Sequence, residues 1–254
     1  MRVALLCAGQ GGQYPAMFDR LAQMPAAAQV LELASAYAGF DVTTLPTCDP
    51  DTFTDNRLAQ LLVVTHALAA SAALRAEGVD PVLYAGYSVG EMAAHGAAGV
   101  WDVETTLELT VCRAACMDEA AATYVEPLGM SAVLGLAEAD VGRLAEAAGV
   151  AVAIFNGARH LVVGGPLLAL GRFEEAALRH GASHLRRLDV RIASHTPFIA
   201  NAAAPFADLL SEAPWQAPIG VLLSGLDGDA IKCREDSVTL LSRQVHTPLR
   251  WHDC

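Results

Sequence analysis

The sequence predicts an α/β fold, with a large layered domain built on a parallel sheet and a smaller α+β domain inserted into it. Three observations carry this expectation. A β-prone run at the N-terminus and another over 81–85 are each followed by helix-favouring stretches, the alternation of an α/β layer structure. Between 129 and 188 the rhythm changes to short strands and amphipathic helices in the order βαββαβ. Ser88 stands where the second strand gives way to a helix, framed as Gly86-Tyr-Ser88-Val-Gly90.

Taken in order, residues 3–8 read as a buried first strand, followed by the loop Gly9-Gln10-Gly11-Gly12-Gln13. Helices are expected over 26–38 and 56–77, the second with Leu58, Leu61, Leu62 and Leu68 at helical spacing. A strand at 81–85 leads into the Ser88 turn, then helices over 91–98 and 103–121, the latter capped by Asp102. In the inserted segment a strand over 130–136 precedes a helix over 138–148. Strands 150–155 and 161–163 form a hairpin around Asn156-Gly157, followed by a helix over 166–180 and a strand over 183–188. That order is ferredoxin-like. Residues 196–210 are expected to be helical, 219–224 a strand and 238–243 a last helix. The domain limits are therefore 1–128 with 189–254 for the large domain, α/β-hydrolase-like around its serine turn, and 129–188 for the small one.

Composition narrows the function classes. With 254 residues, 54% hydrophobic and 17% charged, the chain has the makings of a substantial core. No unbroken apolar run reaches the roughly 18–20 residues that cross a bilayer, so no membrane partner is expected. The start resembles a signal peptide only as far as Gly9, where Gln-Gly-Gly-Gln follows in place of a cleavage site. Cys7, Cys48, Cys112, Cys116, Cys233 and Cys254 lack the close pairs of a zinc site, so no metal is expected and a reducing cytoplasm fits. A net charge of −12 argues against nucleic acid and requires a local cation to hold any anionic substrate.

A serine on a tight strand-to-helix turn has its hydroxyl pushed out of the sheet top, where a base can make it a nucleophile. Of the eight histidines, His195 in Arg191-Ile-Ala-Ser-His195-Thr-Pro is the best placed, where the small domain returns to the large one. His66 and His95 read as packed or surface histidines. Gln10 lies just past the first strand, where α/β sites form, and its glycine neighbours leave backbone N–H groups open. That loop lacks the Lys-Ser/Thr end of a nucleotide loop. Arg113, taken alone on its helix, reads as a solvated surface charge.

Together, Ala8-Gly-Gln10-Gly-Gly-Gln13, Gly86-Tyr-Ser88-Val-Gly-Glu91, Arg113, Ser194-His195-Thr-Pro197 and Gln244-Val-His-Thr-Pro-Leu-Arg-Trp251 resemble, in order and spacing, the malonyl-CoA:acyl-carrier-protein transacylases. That family includes the acyltransferase domains of fatty-acid and polyketide synthases. Asn156 in Phe-Asn-Gly, followed by Leu-Val-Val-Gly-Gly165, resembles the family's hairpin, and the likeness spans nearly the whole chain. Within the family, Gly-Tyr-Ser and Phe155-Asn-Gly-Ala-Arg-His160 look most like the malonyl transferase (epsilon) subunit of malonate decarboxylase.

The resemblance implies that Ser88 takes the acyl group and His195 serves as base. It implies an oxyanion hole from the N–H groups of Val89 and Gln10, and orientation of His195 by the Gln244 region. Arg113 would hold the malonyl carboxylate, with Asn156 also at the substrate. The implied substrate is malonyl-CoA, the implied partner an acyl carrier protein bearing phosphopantetheine, with no bound cofactor. Fatty-acid or polyketide synthesis is the alternative setting; a serine esterase and a non-catalytic carrier-docking subunit are the rival classes. The family usually has His at Tyr87 and Pro at Ala8, and it ordinarily continues beyond the position of Cys254 through another helix and strand.

Overall fold

A computed structural model describes residues 2–45 and 53–254; Cys48 lies outside the described residues. The elements run β1 (Ala4–Cys7), α1 (Ala28–Ala38), α2 (Asn56–Ala76), β2 (Leu83–Gly86), α3 (Gly90–Ala97) and α4 (Val103–Ala121). There follow β3 (Leu128–Leu134), α5 (Glu138–Ala148), β4 (Ala151–Gly157), β5 (His160–Pro166), α6 (Leu167–Arg179) and β6 (His184–Arg187). The chain then forms α7 (Ala203–Glu212), β7 (Val221–Leu222) and α8 (Arg234–Gln244).

Among the described residues the strands form two sheets. The first is parallel, in the order β1-β2-β7, with Ala4 opposite Leu83 and Leu83 opposite Val221. Two of its helices start at side-chain caps. The Asp55 side chain accepts from the Leu58 N–H at 2.8 Å to begin α2, and Asp102 accepts from the Thr105 N–H at 2.8 Å to begin α4. Helix α2 is apolar on most of its circumference and packs against α1, α3 and α4 as the core helix of this layer. It is long and apolar enough to cross a bilayer, although Gln60, Thr65, His66 and Ser71 break it into shorter apolar runs. Because α4 lies along α2, Arg113 on the former faces Gln60 on the latter.

The second sheet is antiparallel, in the order β4-β5-β3-β6. Strand alternation divides its residues between two environments. Val133, Leu161 and Val163 face α5 and α6 with Leu144 and Phe173. Met130, Ala132 and Val162 face the other way, toward Ile154, Leu226 and Leu249. Arg187 donates from Nε and Nη2 to the two Glu174 oxygens at 2.7 and 2.8 Å, tying β6 to α6.

Five expectations need correction. The first strand is not buried throughout: β1 pairs only with β2 among the described residues, and Leu6 is 63% exposed. The hairpin turn falls later than Asn156-Gly157, because β4 continues through Gly157, which pairs with His160. The stretch 196–210 is not one helix, since Ile199 at φ −119° interrupts it before α7. The strand at 219–224 shortens to Val221–Leu222, while the last helix begins earlier, at Arg234, where the Asp236 carboxylate accepts from the Cys233 N–H.

Candidate active site

The turn after β2 is tight enough to strain its own serine. Ser88 has φ 56°, in the left-handed region that disfavours a side chain. A Cβ at Gly86 would lie 2.1 Å from the Glu91 nitrogen, and one at Gly90 would lie 2.3 Å from the Cys7 oxygen. Glycine is therefore required on both sides, and Ser88 is held at the C-terminal end of the parallel sheet, at the start of α3.

His195 is held in the left-handed region too, at φ 61°. Its backbone N–H donates to the Val245 carbonyl at 2.8 Å, and its Nδ1 lies 2.6 Å from the Gln244 carbonyl oxygen. Nδ1 therefore carries the proton, because a carbonyl can only accept. Nε2 is left with its lone pair facing Ser88 Oγ at 2.7 Å. Burial and the nearby Arg113 cation depress the imidazole to about 3, against an opposing effect of the Gln244 carbonyl. His195 is thus neutral at pH 7, the form that accepts a proton from the serine hydroxyl.

The Gln244 side chain is clamped as well. Its Nε2 donates to Glu91 Oε2, and its Oε1 accepts from Arg113 Nη2 at 3.2 Å. Glu91 also accepts from the Gly225 N–H at 2.9 Å, and burial raises its carboxyl to about 7. Arg113 donates from Nη1 to Gln60 Oε1 at 2.6 Å; burial lowers it to about 10, with Glu91 opposing, so it remains a cation. It is fully buried, contrary to the solvated charge expected from its helix alone.

A cavity of about 290 Å³ opens over Ser88 and His195, lined also by Gln10, Tyr87, Asn156 and Arg186. Gln10 Nε2 and Asn156 Oδ1 are buried without a hydrogen-bond partner among the described residues. Tyr87 stands beside Asn156 and edge-on to Trp251, with ring centroids 5.3 Å apart. The N–H groups of Val89 and Gln10 donate to no acceptor among the described residues, leaving two amide donors near Ser88. Arg113 does not line this cavity but sits close enough to His195 to lower its basicity. A neighbouring hollow of about 740 Å³ shares Gly11, Leu188, Asp189 and Val190 with the cavity and is bordered by Arg187 and Arg191.

The structure thus brings Ser88, His195, Gln10, Val89, Gln244, Arg113 and Asn156 into one neighbourhood, with Arg113 one layer behind the cavity wall. His95 is buried away from it, with Nδ1 2.8 Å from the Glu91 carbonyl and its ring stacked on Trp101. His66 is half-buried near Phe18. Sequence reasoning missed Glu91 and Gln60. Glu91 was legible as an acid in the first turn of an otherwise Ala-rich helix, and Gln60 as a polar residue beside Leu61 and Leu62. No group of three or more His, Cys, Asp or Glu side chains among the described residues is placed to hold a metal.

A family model for the acyl transferase domain matches residues 4–223. The malonyl CoA-acyl carrier protein transacylase of Mycobacterium tuberculosis strain H37Rv is 35% identical over 256 residues, covering 99% of this chain and 83% of that protein. The Escherichia coli K12 transacylase is 28% identical over 259 residues, covering 98% and 82%. The solved malonyl-CoA:acyl carrier protein transacylase of Helicobacter pylori superimposes with TM-score 0.92 at 28% identity, covering 100% of this chain and 83% of that one. A malonyl-transacylase solved in complex with a type II polyketide synthase acyl-carrier protein gives TM-score 0.91 at 25% identity, covering 99% and 83%. Fold, match and identity agree: the chain belongs to the acyl transferase domain family, that of the malonyl CoA-acyl carrier protein transacylases.

Proposed function

We propose that this protein transfers a malonyl group from malonyl-CoA to the phosphopantetheine thiol of an acyl carrier protein through a malonyl-Ser88 ester. The single observation that carries the reading is the relay from Ser88 Oγ to His195 Nε2 at 2.7 Å and from Nδ1 to the Gln244 carbonyl at 2.6 Å. Ser88 Oγ attacks the thioester carbon while its proton passes to His195 Nε2. The Val89 and Gln10 amides hold the oxyanion, and one such donor is worth about 3 kcal/mol in the transition state. Collapse breaks the carbon–sulfur bond, and His195 returns the proton to the departing CoA sulfur. The carrier thiol then gives its proton to Nε2, attacks the ester carbon, and Ser88 recovers its hydrogen.

Arg113 supplies the cation for the malonyl carboxylate, and Asn156 a polar wall for the acyl arm. The neighbouring hollow, which shares Gly11 and Leu188 with the cavity, gives the CoA or carrier arm a route past Gly11 to Ser88. Relatives named as malonyl CoA-acyl carrier protein transacylases support this activity. For its setting we favour malonate decarboxylase, where Tyr87 and Phe155-Asn-Gly-Ala-Arg-His160 point; fatty-acid or polyketide synthesis is the alternative. We also read 129–188 as a ferredoxin-like domain inserted into 1–128 with 189–254, and the free cysteines as fitting the cytoplasm.

Intact-mass measurement after mixing with malonyl-CoA tests the reading. A malonyl adduct that disappears in Ser88→Ala and moves to an added carrier protein is expected. An unmodified mass would refute it.

A further inference from the structure

The group that orients the base is a helix-terminal carbonyl. Gln244 is the last residue of α8, and the residue one helical step beyond it is Pro248, which has no N–H to give. The Gln244 carbonyl is thereby left for His195 Nδ1 at 2.6 Å. Helix ends fray, so an acceptor placed there keeps its position only when something else holds the residue.

Glu91 holds it. This acid is buried in the first turn of α3, three residues after the nucleophile. Its Oε2 accepts from Gln244 Nε2 and from the Gly225 N–H at 2.9 Å. The Gly225 carbonyl in turn accepts from the Arg250 N–H at 3.3 Å. One carboxyl oxygen thus joins the helix that follows Ser88 to the end of α8 and to the loop after β7. The other oxygen, Oε1, is buried with no partner among the described residues. An acid buried with one oxygen idle is costly, and an apolar side chain in its place would avoid that cost. The bonds of Oε2 are what the acid supplies in return.

We propose that Glu91 is a positioning residue, which pins the end of α8 to the nucleophile's own helix so that the Gln244 carbonyl keeps His195 Nε2 aimed at Ser88. This rests on the acyl-transfer reading, which names base and nucleophile. Glu91 makes no hydrogen bond to either of them and acts through Gln244. Its removal releases both α8 and the Gly225 loop, more than the loss of either partner alone. The imidazole then loses the acceptor that fixes its tautomer and its direction, and a small misplacement of a reacting pair is costly in rate.

The test follows single-turnover acylation of Ser88 by acetyl-CoA, which has no carboxylate for Arg113 and so reports the base. In parallel, NMR of protein with isotope-labelled histidine follows the His195 Nδ1 proton, assigned through its loss in His195→Gln. Glu91→Met keeps the volume and removes the acceptor. Its rate at saturation falls about tenfold to a hundredfold, while the half-saturating concentration stays within about threefold. Its Nδ1 proton signal, held downfield by the bond to Gln244, moves upfield or is lost to exchange. In Glu91→Gln the amide oxygen accepts from the same two N–H groups, so the rate recovers to within about threefold of the parent and the signal stays. Glu91→Ala takes the place of Glu91→Met if circular dichroism shows that variant unfolded. A parental rate without the acceptor, a lost rate with an unmoved Nδ1 signal, or a Glu91→Gln protein as slow as Glu91→Met would each overturn the inference. A parent that forms no acyl adduct takes the transfer reading down with it. A parent that forms the adduct, with a Glu91→Met protein that forms it as fast, sinks only the role of Glu91.

Discussion

Gln244 serves His195 with its main chain and Arg113 with its side chain: its carbonyl oxygen lies 2.6 Å from Nδ1 and its Oε1 3.2 Å from Nη2. The orientation of the base and the placement of the cation are therefore tied through one residue at the end of α8. Replacing the side chain separates the two services, because the carbonyl survives any substitution. Gln244→Leu leaves a guanidinium and a carboxylate each short of one buried partner, so it destabilises the fold by about 2–3 kcal/mol. Urea unfolding measures that loss. Acylation by acetyl-CoA falls less than acylation by malonyl-CoA, since His195 keeps its acceptor.

Arg113→Ala separates acyl groups more sharply. Its guanidinium is the buried cation within reach of the base, and charge-assisted bonds to a carboxylate are worth about 1.5–3 kcal/mol. Malonyl-Ser88 formation drops by about tenfold to a hundredfold, and acetyl-Ser88 formation changes by less than about threefold. Rapid-quench mass measurement with the two thioesters reads the ratio.

The acid limb of acylation follows His195. With its imidazole depressed to about 3, the proton-accepting form persists well below the ordinary histidine value of 6.5. Single-turnover acylation between pH 5 and 8, about the range in which an ordinary histidine titrates, shows no loss centred on 6.5.

Stability has a different pH dependence. His195 and His95, lowered to about 3 and about 4, bind fewer protons folded than unfolded below pH 6.5, so acidification from that value removes stability. Glu91, raised from 4.5 to about 7, acts in the opposite sense: its contribution is present at low pH and lost as pH rises through 7. Glu91→Gln removes the opposing contribution. Its melting temperature falls more steeply than the parent's as pH drops from 7 to 4.5, which calorimetry at matched ionic strength resolves.

The strained turn gives an inverted glycine effect. Ser88→Ala keeps a Cβ at φ 56°, whereas Ser88→Gly removes it. A glycine substitution ordinarily costs stability by freeing the unfolded chain, but here Ser88→Gly is more stable than Ser88→Ala by about 1 kcal/mol. Both lack the malonyl adduct. Equilibrium unfolding of the two proteins side by side provides the comparison.

Much of this site was legible because the chemistry sits in short local motifs. Gly86 and Gly90 announce a turn that excludes side chains, and the order around Ser194-His195-Thr-Pro and Gln244 carries the family's signature. Helix α5 falls where its amphipathic spacing places it, and α4 where the Asp102 cap does. What stayed hidden depends on long-range packing. Gln60 and Arg113 lie far apart in the chain and meet only because α2 and α4 run side by side, so helical spacing alone left Arg113 as a surface charge. The Asn156 hairpin was displaced because β4 slips register between Phe155 and Gly157, a bulge that no turn signal marks.

Trp251 stands edge-on to Tyr87, the residue preceding Ser88, while Trp101 lies stacked on His95. The indole thereby becomes an intrinsic optical reporter: a group entering beside Tyr87 alters its polarity and quenching. Occupancy of the serine can then be followed by emission in real time, with no label attached to the protein.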